Sequence, residues 1–445
     1  MHRIETIERV VDLVDPSHNI LLNLSYSEAL KCIQSGDPRE VARIDGQFAI
    51  VACEGKRVRM ARSIGRPIRY FLAKRAAGPC LIIAERIDQI RAALEQEGLA
   101  NQFHPSYTRM VPAHHLLELQ LIGCPDPNPV HQRFFDPAPN QLPNDIASIG
   151  KQYIGVLADE CSRWLDTIDR AEPIGVMFSG GIDSGSVLLV LYHLLLLRGE
   201  NPARLKAFTL SVGGTDGGDA QRARSFLQSV DLSMLLEVIN VPAERIDWRA
   251  AIGVIEDYKA LDVQAATMGL ALCREIRGRY PDWKWLVDGD GGDENLKDYP
   301  IEENPELTIR SVLNNQMLYQ EGWGVNAIKH SLVYSGGQSR GHVRTFAPAS
   351  TLGFRGFSPY ALPKVIEVAE GIPFIELTDW KHGKLYQLKG AVVGAGCQAI
   401  TGLSMPVFDK ERFQHGAVSS QVVRELFPKH AQDYRDEFQR QFMPA

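Results

Sequence analysis

The sequence lacks several features that would each place it in a special class of protein. It has only seven cysteines among 445 residues, and no two of them stand in a Cys-x-x-Cys spacing, which argues against a disulfide framework or a zinc knuckle. The longest apolar run, Val187–Leu197, has 11 residues, whereas a membrane helix needs about 20. The net charge of −6 excludes a basic field that would recruit nucleic acid or an anionic membrane. Because the N-terminus also lacks an apolar signal stretch, we expect a soluble, cytoplasmic protein.

Proline and charge divide the chain into two parts. Six prolines lie between Pro125 and Asp145, and at this density they interrupt helices and central strands. Residues 1–145 carry 17 Lys and Arg against 17 Asp and Glu, so the whole negative excess lies after residue 145. We therefore expect a first domain at 1–124, a stiff linker at 125–145 and a second domain at 146–445.

The two parts differ in their predicted secondary structure. Before the linker, short β-rich segments alternate with turns, and the apolar periodicity predicts one helix over Ile87–Gln96. After the linker, strands over Ile174–Phe178, Leu205–Val212 and Trp285–Asp288 alternate with helical stretches. This rhythm is typical of an α/β fold with a parallel, doubly wound sheet, which binds ligands at the carboxyl ends of its strands.

The first loop with a chemical signature is Ser179-Gly180-Gly181-Ile182-Asp183-Ser184-Gly185, between a predicted strand and a helix. Glycines allow a close backbone approach, and the N–H groups at a helix start form an anion site to which Ser179 and Ser184 add hydroxyl groups. An aspartate faces a phosphate only when a cation lies between them, which suggests that Asp183 is a Mg²⁺ ligand. The alternative is a glycine turn in which Ser or Asp caps the helix.

A second loop, Asp288-Gly289-Asp290-Gly291-Gly292-Asp293-Glu294, follows the predicted strand Trp285–Asp288. Four acids among three glycines cannot all be buried and ionised without a cation, so we expect a second metal carboxylate here. The alternative is a solvated acidic turn.

Together the two loops resemble the synthetase domain of the asparagine synthetase and β-lactam synthetase family, with its SGGxDS pyrophosphate loop and its GDGxDE segment. The resemblance implies an adenine-nucleotide α-hydrolase-like domain that uses ATP and Mg²⁺. In such a domain a substrate carboxylate attacks the α-phosphate, pyrophosphate leaves, and an amine attacks the acyl-adenylate. Asp183 and Asp293 would then hold Mg²⁺. The residues that the resemblance places at the nucleotide are Val176, Ser179, Gly180, Gly181, Asp183, Ser184, Leu210, Gly289 and Asp290.

The N-terminal part resembles the glutaminase-like (Ntn-type) α+β domain of the same family. The similar segments are Arg43–Ala49, Ala61–Tyr70 and Ala84–Arg86. Glutamine-dependent members expose a cysteine at the mature N-terminus, whereas this chain starts with Met1 and its first cysteine is Cys32. We therefore expect a front domain without a nucleophile, and an amine that does not come from glutamine.

The sequence departs from the family pattern at positions that the chemistry needs. Asp290 stands where β-lactam synthetases have a catalytic tyrosine, and an aspartate at this position is closer to asparagine synthetases. Residues 353–359 lack the glutamate of the family's ExRxPF segment. A lysine that stabilises the adenylate is also displaced. Lys384, Lys389 and Lys410 are the candidates to replace it, and for each one a solvated lysine is the alternative. We assign catalytic roles to Asp290, Lys384 and Lys389.

One further feature, the basic stretch from Lys56 to Arg75, has eight cationic residues and no acid. It is either a solvated strand face or a surface for an anionic substrate, a leader peptide or a partner subunit.

The sequence thus predicts an ATP- and Mg²⁺-dependent ligase that joins a small-molecule or peptide carboxylate to an amine, in the manner of a specialised-metabolite or peptide cyclase or amide synthetase. We expect neither a membrane nor a nucleic acid as partner, and leave open a homodimer or a partner biosynthetic protein. Two alternatives remain. In the first, the protein is a degenerate member that binds a nucleotide or a partner without catalysis. In the second, it is a PP-loop enzyme that modifies tRNA, and the acidic second part of the chain argues against this alternative.

Overall fold

The computed structural model describes residues 5–6, 9–75, 78–120, 122–124, 128–213, 217–298, 308–313, 342–408 and 425–443. None of the helices within these ranges is both long and apolar enough to cross a membrane.

The N-terminal part contains two four-stranded sheets. One has the strand order β12-β10-β6-β5 and is antiparallel, and the other has the order β2-β8-β7-β9, in which β2 runs parallel to β8. Two short pairs, β1 with β11 and β3 with β4, complete this part. The strands are β1 (Glu5–Thr6), β2 (Arg9–Asp12), β3 (Ile20–Leu21), β4 (Gly46–Gln47), β5 (Ala49–Glu54), β6 (Arg57–Arg62), β7 (Arg69–Ala73), β8 (Cys80–Ala84), β9 (Arg109–Met110), β10 (His115–Gln120), β11 (Ile122–Cys124) and β12 (Val130–Arg133).

Alternating apolar side chains stack these sheets in layers. Val51, Met60, Ile83 and Leu117 belong to a core between the two sheets. The opposite face of the first sheet packs against helix α1 (Tyr26–Ser35), and that of the second against helix α3 (Ile87–Gln96). The N-terminal part is therefore a helix–sheet–sheet–helix sandwich. Its assignment to the glutaminase-like fold stays a prediction.

The C-terminal part is built on a five-stranded sheet in which every pair is parallel, in the order β15-β14-β13-β16-β17. Helices cover both faces, so the strands are buried on both sides and read as nearly continuous apolar runs. The predicted parallel α/β sheet is thus confirmed. The strands are β13 (Ile174–Met177), β14 (Leu205–Val212), β15 (Leu236–Val241), β16 (Trp285–Val287) and β17 (Arg355–Phe357).

Helices connect these strands and pack around the sheet. The helices of the whole described chain, besides α1 and α3, are α2 (Pro38–Val41), α4 (Ile146–Leu165), α5 (Ile182–Leu197), α6 (Gly218–Ser229), α7 (Trp248–Ile255), α8 (Ala260–Arg279), α9 (Gly292–Asn295), α10 (Ile309–Leu313), α11 (Ala347–Thr351), α12 (Pro363–Glu370), α13 (Phe374–Leu377), α14 (Leu385–Thr401) and α15 (Ala431–Phe442). A π-helical turn, His342–Phe346, precedes α11.

The proline-rich segment differs from the linker that the sequence predicts. Val130–Arg133 forms β12, the edge strand of the first sheet, so sheet pairing continues beyond the predicted domain boundary at residue 124. These four residues contain no proline, and an edge strand tolerates neighbouring prolines because only one side of it pairs. Further on, the N–H groups of Asn140 and Leu142 donate to the carbonyls of Glu370 and Gly371 in the C-terminal part. The segment is therefore anchored at both of its ends.

The two parts of the chain meet across an apolar interface that also contains a buried ion cluster. Phe71 and Ile90 from the N-terminal part share one hydrophobic cluster with Ile252, Val263 and Tyr434. Together with the ion pairs of Glu256 with Arg69 and Arg86, this interface holds the N-terminal part against α7, α8 and α15.

Candidate functional site

The strand order of the C-terminal sheet brings the two glycine loops together. From β13 the chain winds outward through β14 and β15, then returns to the other side of β13 to form β16 and β17. Val176 of β13 pairs with Val287 of β16, so the loops that leave these strands start side by side. Such a reversal of strand order opens a crevice at the carboxyl edge of the sheet, where α/β proteins bind ligands.

The first loop turns sharply into helix α5. Gly180 has φ +72°, and a Cβ at this position would lie 2.7 Å from the backbone nitrogen of Ala223. Only glycine fits there without displacing backbone. The N-cap of α5 is Gly181, so no cap side chain covers the N–H groups of the first turn. The hydroxyl oxygens of Ser179 and Ser184 lie 3.3 Å apart across the loop, and the arrangement is typical of an anion site.

The second loop packs directly on the first. A Cβ at Gly289 would lie 2.5 Å from the backbone nitrogen of Ser184, and a Cβ at Gly292 would overlap the carboxylate of Asp183. Gly291 has φ +104°, which allows the loop to turn back toward the sheet. Gly289 and Gly292 therefore allow the two loops to pack closely, and Gly291 allows the turn between them.

A buried lysine joins the carboxylates of the two loops. The Lys389 ammonium, 2% exposed, lies 2.6 Å from Oδ2 of Asp183 and 2.5 Å from Oδ1 of Asp293. Burial opposes its charge, but Asp183 and Asp293 outweigh burial and raise the pKa of Lys389 well above its usual value. The structure thus brings together three of the predicted site residues, from segments more than 90 residues apart in the sequence.

Helix α14 carries Lys389 and is held very close to helix α4. A Cβ at Gly150 would meet the carbonyl of Val392, and a Cβ at Gly396 would meet the carbonyl of Gly150. Glycine at both positions allows the two backbones to touch, so the distance between the helices is fixed by backbone contact. This contact positions the lysine against the loops.

The paired carboxylates fit a Mg²⁺ ion. Oxygen atoms of Asp183 and Asp293 already converge on one positive charge, the Lys389 ammonium. Mg²⁺ prefers hard oxygen ligands, usually takes one or two carboxylates from the protein and keeps several waters or phosphate oxygens. Both side chains are about one-fifth exposed, so a phosphate or water can reach them.

Asp288 and Asp290, in the same loop as the candidate metal ligand Asp293, form a second acidic pair that shares a hydroxyl group. Oγ1 of Thr345 lies 2.6 Å from Oδ2 of Asp288 and 2.6 Å from Oδ2 of Asp290. Ser358 also donates to Oδ2 of Asp288, at 2.9 Å. Because a hydroxyl has one proton to donate, it serves both carboxyl groups only if one of them is protonated and donates in return.

The pKa shifts of this pair agree with a shared proton. Burial raises the pKa of Asp288 to about 6 against the hydrogen bonds from Thr345 and Ser358. Burial and the neighbouring charge of Asp288 raise the pKa of Asp290 well above its usual value. Both shifts favour a protonated carboxyl group in this pair, which would share its proton with the Thr345 hydroxyl.

Thr345 and Ser358 were not among the sequence candidates. Both are single hydroxyl residues with no spacing that distinguishes them. The available signal was the position of Ser358, directly after the apolar Gly356-Phe357 of β17 at the ligand edge of a parallel sheet.

The structure places other predicted residues away from the carboxylates. The ammonium of Lys384 pairs with the exposed Asp379, at the start of α14. Val176 and Leu210 are buried and belong to hydrophobic clusters on opposite faces of the sheet. A role for these two residues at the adenine stays a prediction, and Lys410 lies outside the described residues.

Comparison with known families agrees with the geometry. Residues 167–340 match the asparagine synthase family, a segment that includes both glycine loops but neither Thr345 nor Lys389. No curated protein matches the chain. Residues 167–340 are therefore similar to the asparagine synthase family, which supports an ATP-dependent amide ligase in general terms.

Proposed function

We propose that this protein adenylates a substrate carboxylate, releases pyrophosphate and condenses the acyl-adenylate with an amine. The observation that carries this proposal is the convergence of Asp183, Asp293 and Lys389 beside the open N-terminus of α5. Two carboxylates at one cation, next to backbone N–H groups at a strand-order reversal, suit a metal–polyphosphate ligand better than any neutral one.

In this proposal the first loop binds the pyrophosphate part of ATP. The N–H groups of the first turn of α5 and the hydroxyl groups of Ser179 and Ser184 would orient its oxygens. Asp183 and Asp293 would hold Mg²⁺, which when bound would neutralise phosphate charge. Lys389 adds a second positive charge in the same buried place, where electrostatic stabilisation of a charged transition state is strongest.

We assign the activation of the amine to Asp290 in the state in which the Asp288–Asp290 pair has lost its shared proton, because a protonated carboxyl group cannot accept one. A carboxylate whose pKa is raised is a stronger base than an exposed one, and its pKa lies closer to that of the proton donor. Thr345 connects Asp290 to Asp288, which gives the proton a second acceptor within the pair. A proton taken by Asp290 therefore need not leave the protein before the amine attacks.

We propose that the amine does not come from glutamine hydrolysed by the front domain. Burial raises the thiol pKa of Cys32, Cys53 and Cys80, the cysteines of that domain whose side chains lie within the described part of the structure. Such thiols hold little thiolate at neutral pH and are poor nucleophiles. The amine would be free ammonia, a separate amino compound or a group on the substrate itself, as in a cyclase or amide synthetase of specialised metabolism.

A pyrophosphate-release assay tests the proposal. Purified protein, ATP, Mg²⁺ and a panel of carboxylates with and without amines are expected to yield pyrophosphate and AMP in equal amounts. Asp183→Asn is expected to abolish this release, whereas the matched control Asp282→Asn changes an exposed carboxylate and leaves it intact. ATP binding with no turnover on any carboxylate would favour the non-catalytic alternative, and turnover only with tRNA would favour the tRNA-modifying one. Glutamate formed from glutamine would contradict the assignment of the front domain.

A further inference from the structure

A cavity of about 490 Å³ lies in the N-terminal part, at the edge of the core between its two sheets. Its apolar floor is formed by Leu72, Leu81 and Leu119, of which the last two belong to the inter-sheet core. Its polar rim includes Lys74, Tyr107 and Arg109. Every described lining residue comes from the N-terminal part, so this cavity is separate from the glycine loops and from the ATP chemistry proposed above.

Strand pairing and one glutamine shape the rim of the cavity. Tyr70 and Arg109 are direct cross-strand partners of β7 and β9, and the guanidinium of Arg109 hydrogen-bonds the buried Tyr70 phenol. The side chain of Gln102 accepts from the N–H of Lys74 at 2.8 Å and donates to its carbonyl at 2.5 Å. Both cations therefore extend from backbone that is held in place, which lowers the cost of ordering them around a ligand.

One cation of the rim, Lys74, belongs to the basic stretch from Lys56 to Arg75, and the other, Arg109, lies outside it. Most arginines of this stretch have carboxylate partners inside the protein, namely Arg57 and Arg59 with Glu118, Arg66 with Glu85, Arg69 with Glu256 and Arg75 with Glu97.

Lys74 and Arg109 differ from those arginines. Within the described ranges, neither cation has a carboxylate within ion-pair distance, and no acidic residue is among the described residues that line the cavity. The cavity thus combines an apolar floor with two cations that have no carboxylate partner among the described residues.

We propose that this cavity binds a small amphipathic carboxylate, with the carboxylate group between Lys74 and Arg109 and an apolar body on Leu72, Leu81 and Leu119. A volume of about 490 Å³ lies within the common range of roughly 300–1,000 Å³ for small-ligand sites. The guanidinium fork matches the two oxygens of a carboxylate. A single negative charge with an apolar body also suits this floor better than a doubly charged phosphate, whose oxygens are more strongly hydrated.

Isothermal titration of the full chain, without ATP, tests the proposal with 3-phenylpropionate and its neutral amide. We expect saturable binding of the acid with Kd of about 1 mM or tighter, and binding of the amide at least about tenfold weaker. Lys74→Met and Arg109→Met are each expected to weaken binding of the acid by about tenfold. Lys56→Met removes an exposed cation of the same basic stretch outside the cavity and is expected to leave binding unchanged.

Three results would overturn the proposal. Equal affinity for the acid and the amide, or no saturable binding of the acid, would remove the carboxylate site. Equal weakening by Lys56→Met would assign the effect to general surface charge. Tighter binding of phenyl phosphate than of the acid would replace the carboxylate by a phosphate ligand. Thermal unfolding of each variant separates loss of the site from loss of the fold, and Lys74→Arg is expected to retain binding. Because ATP is absent throughout, these results do not depend on the proposed ligase activity.

Discussion

Two buried charge clusters in this protein are built in opposite ways. At the interface between the two parts, both oxygens of Glu256 have partners from the N-terminal part. Oε2 lies 3.4 Å from Nε of Arg69, and Oε1 lies 3.5 Å from Nη2 of Arg86 and accepts the N–H of Ile87 at 2.7 Å. Two arginines and a helix N-terminus thus surround one carboxylate. Burial still raises the pKa of Glu256, but both of its oxygens have partners within the protein.

At the glycine loops the balance is reversed. Asp183 and Asp293 share the one ammonium of Lys389, and Asp288 and Asp290 lie close behind with a threonine hydroxyl between them. The Arg344 guanidinium also faces Asp290, Asp293 and Glu294, but among the described residues of these loops the carboxylates still outnumber Lys389 and Arg344, in a place where uncompensated charge is costly. The comparison suggests that a fully compensated cluster serves the fold, whereas an undercompensated one serves a ligand that carries the missing charge.

The largest effect is expected at the undercompensated cluster. Asp183→Asn removes one of its two metal candidates, so we expect pyrophosphate release to fall by at least about 100- to 1,000-fold. Binding of Mg²⁺-ATP should weaken as well, which titration calorimetry measures independently of turnover. Wild-type kinetics in this variant would remove Asp183 from the site.

Next in size is the effect of the loop contact itself. Gly292→Ala places a methyl group against the Asp183 carboxylate, so we expect about a 10- to 100-fold loss of turnover from the displaced carboxylate. Gly394→Ala is the matched control, because its Cβ meets no atom within 4 Å in helix α14. Alanine there is expected to preserve activity and to stabilise the protein by up to about 1 kcal/mol. Equal loss in both variants would mean that the loop contact is not specific.

The compensated cluster is expected to affect stability instead of turnover. Glu256→Gln removes the charge opposite the buried Arg69, whereas Arg86 keeps its pair with Asp88, so we expect the free energy of unfolding to fall by about 3–5 kcal/mol. Turnover per folded molecule should stay the same, and added Mg²⁺ should restore nothing. Denaturant unfolding with and without Mg²⁺ measures the stability, and pyrophosphate release measures the turnover. A variant that is stable but inactive would break the comparison between the clusters.

Lys389→Met provides the converse test. Without its ammonium, Asp183 and Asp293 repel each other, and we expect a loss of stability of up to about 3 kcal/mol in metal-free buffer. Because Mg²⁺ would supply the missing charge, it should raise the melting temperature of this variant more than that of the wild type. Equal shifts in both proteins would show that the lysine and the metal do not share these carboxylates.

The smallest effect concerns pH. The pKa of Asp288 is raised to about 6 in the folded protein, above its usual value of 3.8, so its ionisation opposes folding as pH rises through this interval. Asp288→Asn should therefore stabilise the protein at pH 8 by about 1–3 kcal/mol and have little effect at pH 3. Melting curves at both pH values measure the difference. A pH-independent effect would mean that the burial of this carboxyl group does not control its charge.

What the sequence predicts and what it misses follow from the range of the interactions. The Ser179–Ser184 and Asp288–Glu294 loops are local patterns, a strand followed by glycines and acids, and both lie where their neighbouring strands imply. The short strand β17, with three residues, is too brief for any periodicity to indicate it. Lys389 could be proposed only from the resemblance, since its contact with both aspartates depends on how helix α14 packs. Thr345 has no local signal, because it reaches the acidic pair only through the folded π-helical turn.

The backbone contact between helices α4 and α14 makes the site sensitive to changes far from it. Gly150 and Gly396 are the points at which the two helices touch, and Lys389 lies two helical turns before Gly396. A single methyl group at either glycine would force the helices apart and carry the ammonium away from both loops. The position of the Lys389 ammonium against the two loops is therefore set partly by the distance between helices α4 and α14, which no residue of the glycine loops controls.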